Sequence, residues 1–425
     1  MLITNARIAT MTGAQGAEGE KPLAIVEGGA VATDGDRIVY VGHSSGAPGA
    51  EQVIDAQGAL LAPGLIDPHT HLIFAGDRAG EHAQRLAGAS YLDIARTGGG
   101  IHSTVRATRA ASDEQLIAGA RERLQRLARS GVTSAEVKTG YGLSIQDELR
   151  LLRLLREAAR GAGCEVIPTL LALHAAPTEI DRETWLHQVV EDLTPEAARE
   201  GARGCDAFLE QGAFSRDECR LALEAGARAG LVPHLHADQF SSSAGAQLAA
   251  DLDCASADHL ERITLDGILA LARAGTVAVL LPLAAWFLRE KPAQAAPLLE
   301  AGAVVALGSN INPGSQRIES VSLLLAAGCL LCGLTPAQAL WACTAGAARA
   351  LRLEDRGQIR QGLRADLVLF STRDPAHLPY HAGVESISFL YFWAAALRFT
   401  FMVGVSSPVS WEKSRSRMVK RLMVS

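Results

Sequence analysis

The chain opens with short runs in which apolar and polar residues alternate, split by glycine and aspartate. "LAIVEGGAVATDGDRIVYVG" and "QVIDAQGALLAPG" are the clearest of these within residues 1–61. Period-two runs between turn residues predict β-hairpins, with turns at Gly28-Gly29 and Asp34-Gly35. After Pro63 the pattern changes. Short apolar runs alternate with long helical ones, the βα grammar of a parallel sheet. The predicted strands are 65–71, 132–138, 165–174, 205–210, 231–238, 254–260, 276–282 and 303–309. Amphipathic helices separate most of them, for example "DEQLIAGARERLQRLARSG" and "IQDELRLLRLLREAARGAG", each closed by glycine. The long gap between the first two strands predicts an extra loop or helix over the mouth. Beyond Leu353, "RGQIRQGLRADLVLF" returns to hairpin grammar. The expectation is an α/β fold: a (β/α)8 TIM-type barrel over 62–350, with a small β-sandwich domain built from 1–61 and 351–384. Residues 385–425 read as a divergent apolar and basic tail.

Composition agrees with this picture and removes some function classes. A chain of 425 residues, 48% apolar and 20% charged, suits one large soluble barrel with an accessory domain. A net charge of -6 argues against a nucleic-acid partner, because binding phosphates needs a basic face. Seven scattered cysteines point to reduced thiols and a cytoplasmic setting. Cys329 and Cys332 form a CxxC inside an apolar helical run with no second pair, so buried helix cysteines are expected there. No signal peptide is expected. The run from Ile387 to Gly404 is near the length of a membrane span but is interrupted by Arg398. Nothing upstream prepares for a span, so membrane insertion is not expected.

Chemistry in such a barrel sits at the carboxyl ends of its strands. The first predicted strand ends in His69-Thr70-His71, whose imidazoles share one face at a strand period of two. The third ends at His174, the fifth in His234-Leu235-His236-Ala237-Asp238-Gln239, the sixth at Asp258-His259 and the eighth at Asn310. Each signal alone is weak. Five of the chain's twelve histidines (His69, His71, His174, His236, His259) nevertheless fall at strand ends, which scattered surface histidines would not do. Three imidazoles with an oxygen ligand suit one Zn or Fe ion, which lowers the pKa of bound water toward ~7.

This arrangement resembles the amidohydrolase superfamily, with HxH on strand one, a histidine each on strands five and six, and an aspartate on strand eight. "GLIDPHTH" and "GQIRQGLRADLVLF" carry the same resemblance. "DPHTHLIFAGDR", "ARTGGGI", "EVKTGYGL", "LALHAAP", "HLHADQFS", "SADHLE", "AVLLP" and "NPGS" narrow it to the cyclic amidohydrolases that open the ring of 4-imidazolone-5-propanoate. The resemblance implies His69, His71 and His236 as metal ligands, joined by residue 310. It implies that Arg78 pairs with the substrate propionate, a task its planar fork suits. Tyr141, His174, Gln239, Asn312, Gly314 and Ser315 would contact the substrate. Gln239 would also orient the attacking water, and His259 would handle protons. The implied reaction is hydrolysis of the cyclic amide to N-formimidoyl-L-glutamate in histidine degradation, and the implied assembly is a homodimer. Some relatives carbamylate a lysine on strand four to bridge two metals. Here strand four ends near Glu210 without a lysine, and Lys138 lies on strand two, so a mononuclear site is expected.

Two departures stand out. Asn310 occupies the position of the family's aspartate, which binds the metal and takes a proton from the attacking water. An amide offers a carbonyl oxygen but no charge and no basic site. Weaker metal binding and a much reduced rate are therefore expected. The second departure is the tail, where the quoted resemblance stops near Val384. Two rival readings stay open: a deaminase for a nucleobase-like ring, and a non-catalytic metal- or ligand-binding protein, for which Asn310 is the support.

Overall fold

A computed structural model describes residues 1–88, 99–384, 386–394 and 397–402. Among the described residues, sixteen strands form two sheets. The first five are β1 (Leu2–Ile8), β2 (Val26–Asp34), β3 (Arg37–His43), β4 (Val53–Asp55) and β5 (Leu60–Pro63). The barrel strands are β6 (Leu65–Asp67), β7 (Val132–Lys138), β8 (Glu165–Leu173), β9 (Gly204–Leu209), β10 (Val232–Ala237), β11 (Ser256–His259), β12 (Val277–Leu280) and β13 (Val305–Leu307). Then come β14 (Leu367–Phe370), β15 (Ile387–Ala394) and β16 (Leu397–Met402).

Strands β6 to β13 pair in parallel and in chain order. The ring is drawn together just past the strand ends. The Asn310 N–H donates to the His69 carbonyl at 2.9 Å, and the His71 N–H donates to the Ile311 carbonyl at 2.9 Å. Strand β7 shows why these residues fold this way. All seven of its residues are buried. Ala135 and Val137 join the main apolar core, while the fully buried Glu136 and Lys138, at the alternate positions, form an ion pair. The strand therefore has an oily side for helices and a polar side for the barrel interior.

Helices Ala79–Leu86 and Ile101–Ala110 fill the expected gap between the first two barrel strands. They precede the helix Asp113–Arg129, which begins with a reciprocal Ser112–Gln115 capping box. Its residues Leu116, Ala120, Leu124 and Leu127 recur at helical spacing and are buried.

The second sheet is mixed, in the order β16-β15-β14-β5-β1-β2-β3, with β4 beside β1. Both flanks of the barrel thus meet in one sheet, through the antiparallel pairing of β14 with β5. Gly35 and Asp36 form the two-residue turn between β2 and β3. The turn expected at Gly28-Gly29 is absent, because both glycines lie inside β2. Gly28 has φ +55° and Gly29 packs against the Ile8 side chain, where the β1–β2 register slips. The pair makes a bulge, a place where glycine also serves. Cys329 and Cys332 lie in the helix Val321–Cys332, and all seven cysteines are free thiols.

The first part of the tail continues the mixed sheet. Strand β15 pairs antiparallel with β14, and β16 with β15. Residues 403–425 lie outside the described residues. Among the described residues, no helix is long and apolar enough to cross a membrane. Truncation after Val384 would strip β15 from β14 and remove the buried Ile387 and Leu390. A bare strand edge templates aggregation. The soluble yield of the truncated chain is expected to fall several-fold. Equal yield and an equal melting temperature would show that β15 contributes nothing.

Candidate metal centre

The centre is assembled just beyond the strand ends. After β6 the Asp67 carboxylate accepts the N–H of His69 at 3.3 Å and of Ser309 at 3.0 Å, tying the first strand to the eighth. This places His69 and His71 side by side, with their Nε2 atoms 3.2 Å apart. His236 on β10 and His259 on β11 complete the group. His69 and His236 have ring centroids 4.5 Å apart, and His236 and His259 5.4 Å. Ring nitrogens of His69, His236 and His259 all lie within 4.8 Å of one another. His259 has φ 82°, a left-handed backbone that turns its ring off the end of β11.

A layer of charge lies beneath the rings. Asp258 Oδ2 is 2.6 Å from His69 Nδ1, and Asp206 Oδ2 is 2.9 Å from His236 Nδ1. The Asp258 carboxylate at His69 Nδ1 fixes that ring's tautomer and leaves its Nε2 lone pair free for a metal, while Asp206 stands at ion-pair distance from His236. The Lys138 ammonium reaches both carboxylates, Asp206 at 2.8 Å and Asp258 at 3.6 Å, and Glu136 at 2.7 Å. All four side chains are fully buried.

Burial sets the protonation states. It pushes His69 and His71 well below the ordinary imidazole range, helped by Lys138 for the first and by His69 for the second. It also lowers His236, against the pull of Asp206. Neutral imidazoles are what a metal requires. Burial would raise Asp206, but His236 and Lys138 outweigh it and hold that carboxyl well below its usual range. The His71 Nδ1 has no hydrogen-bond partner among the described residues. This set of four clustered imidazoles fits one divalent metal ion.

The other residues singled out in the sequence converge on the same mouth. The His174 ring stacks on His71 at 5.2 Å, and Tyr141 stands 5.3 Å from His174. Burial pushes His174 down to about 3. Arg78 pairs with Glu81 at 2.8 Å, and its charge reaches both Tyr141 and His174. A Cβ on Gly314 would come 2.2 Å from Arg78 Nη1, so only glycine lets the arginine lie there. Asn312 organises the loop. Its Oδ1 accepts the N–H of Gly314 and of Ser315, both at 2.8 Å. Its Nδ2 donates to Ser315 Oγ at 2.8 Å and to Asn310 Oδ1 at 3.2 Å. Gln239 is nearly buried in the loop leaving β10. Of the quoted motifs, part of "ARTGGGI" lies outside the described residues.

Sequence reasoning missed the supporting layer of Glu136, Asp206 and the role of Lys138. Part of the signal was present: charged residues at alternate positions of an otherwise apolar strand share one face, as Glu136 and Lys138 do.

A barrel with this cluster at its strand ends is a metal-dependent hydrolase of the amidohydrolase type, and the Amidohydrolase family model matches residues 60–405. That match runs past Val384, where the quoted motifs end. The chain is 49% identical over 396 residues to the imidazolonepropionase of Anaeromyxobacter sp. (strain K), covering 91% of this chain and 93% of that one. It is 46% identical over 394 residues to the imidazolonepropionase of Myxococcus xanthus, covering 90% and 94%. An adenosine deaminase from Xanthomonas campestris, solved with bound zinc, shares the fold with a TM-score of 0.72 at 17% identity, covering 99% and 97%. The chain belongs to the imidazolonepropionase family.

Proposed function

We propose that the chain binds 4-imidazolone-5-propanoate and hydrolyses its ring amide to N-formimidoyl-L-glutamate, in a cytoplasmic setting to which seven unpaired thiols are suited. The observation that carries this reading is the meeting of Arg78, Gly314 and Tyr141 beside the imidazole cluster. A carboxylate-binding end then lies beside a metal end. The Arg78 guanidinium takes the propionate and exchanges part of its bond to Glu81 for it. Gly314 and Ser315 line that end, with Asn312 holding them in place. Tyr141 and His174 flank the ring. Gln239 orients the ring or the attacking water.

His69, His71 and His236 would hold the metal with Asn310 Oδ1, which leaves the neighbouring His259 free for proton transfer. A bound divalent ion supplies Lewis-acid polarisation of water and of the ring carbonyl. His259, left off the metal, would carry the proton released by the attacking water to the departing ring nitrogen. At residue 310 the amide accepts no proton, so water activation is the weak step in this chain. A deaminase for a nucleobase-like ring is less well supported, since such a ring gives Arg78 no carboxylate to pair with.

Mixing the metal-loaded protein with imidazolone propionate should slowly bleach the substrate's absorbance, and a chelator should stop the loss. No bleaching by this chain or by Asn310→Asp, each with one ion per chain, would overturn the reading.

A further inference from the structure

Loop 139–143 carries Tyr141 and is held from two sides by residues that no part of the chemistry uses. Glu148, in the helix Ile145–Ala159, is fully buried. Its carboxylate accepts the N–H of Gly140 at 2.9 Å, of Gly142 at 2.7 Å and of Leu143 at 2.8 Å. Arg109, in the helix Ile101–Ala110, holds the opposite groups. Its Nε donates to the Gly142 carbonyl at 2.6 Å and its Nη2 to the Leu143 carbonyl at 3.0 Å.

The backbone they hold is one that a free loop would leave. Leu143 has φ 50° and Gly140 has φ 102°. A leucine in the left-handed region persists only where its surroundings impose it. Gly142 presses on the start of the helix, where a Cβ would lie 2.7 Å from the Glu148 nitrogen. The Gly140 carbonyl in turn lies 3.2 Å from His174 Nδ1. The loop thus fixes Tyr141 and orients His174 together.

We propose that Glu148 is the positioning residue for Tyr141 and His174, that Arg109 is its counterpart, and that the pair preorganises the site for a five-membered heterocycle bearing a propionate. The proposal rests on the reading of Tyr141 as a substrate contact. Preorganisation of this kind lowers the ordering cost of binding without adding a contact.

The test is Glu148→Gln in the full-length, metal-loaded protein, with 3-(imidazol-4-yl)propionate as the probe. Glutamine keeps the shape but turns an N–H2 toward a backbone N–H. Amide exchange at 140, 142 and 143 should quicken at least about tenfold, and probe affinity should fall about tenfold, the factor for one lost charged hydrogen bond. Metal content should stay at one ion per chain, which a general loss of structure would not allow. Wild-type affinity in Glu148→Gln, with Tyr141→Phe weakened, overturns the proposal alone. Failure of the unaltered protein to bind the probe, or full binding by Tyr141→Phe, overturns the site reading and the proposal with it. If Glu148→Gln does not fold, Arg109→Met loosens the same loop from a partly exposed side chain. Wild-type affinity there overturns the proposal too.

Discussion

Asn310→Asp is expected to raise kcat by roughly 100- to 10,000-fold, the usual contribution of a positioned general base. Metal affinity should rise by at least about tenfold, the lower end of what supporting groups alone contribute. The exchange needs no repacking. Aspartate has the shape of asparagine, and both tolerate the left-handed φ of 55° found at this position. Asn312 Nδ2, now donating to Asn310 Oδ1 at 3.2 Å, would donate equally to a carboxylate. Residue 310 is almost fully buried, so an unanswered charge there is costly until a cation arrives. The metal-free variant should therefore melt below the unaltered chain, and the loaded variant above it. Kinetics and melting curves of both chains, with and without metal, check this. Equal rates and equal metal affinity would mean that another group accepts the proton.

The fold was legible because periodicity reports it directly. Eight short apolar runs separated by amphipathic helices leave few arrangements besides a closed barrel, and all eight runs became β6 to β13. The mouth was legible for the same reason, since strand ends fix where His69, His174, His236 and His259 must point. The turn at Gly28-Gly29 failed because glycine marks positive φ without saying whether the strand ends or bulges. The supporting carboxylates failed because they act between strands. Asp206 is separated from His236 by thirty residues of chain, and only the register of β9 against β10 brings them together. Glu148 was hidden for a different reason. At the start of a helix an acidic residue reads as an ordinary dipole partner, and its three backbone bonds depend on a loop geometry that no local pattern encodes.

Lys138→Met is expected to destabilise the fold by about 3–5 kcal/mol, the cost of breaking a buried ion pair from one side. Methionine fills nearly the same volume, so the change removes charge without opening a cavity. Burial alone would depress the Lys138 ammonium, but Asp206, Glu136 and Asp258 more than offset this and keep it protonated. Burial pushes Glu136 up to about 8, whereas His236 and Lys138 hold the Asp206 carboxyl well below its usual range, so Asp206 depends most on the cation. Without the ammonium, the buried Asp206 and Asp258 lose the cation they share. A carbamate on Lys138 would add a further negative charge at that point, so these neighbours also explain why the site takes one metal and not a lysine-bridged pair. The midpoint of urea unfolding measures the loss. Arg199→Met, which breaks an exposed pair with Glu196, should leave that midpoint unchanged within error. Asp206 and Asp258 also hold the Nδ1 atoms of His236 and His69, so whatever Lys138→Met protein folds should bind metal more weakly. An unchanged midpoint would mean that the two aspartates do not depend on the lysine. The imidazoles would then owe their orientation to backbone placement alone.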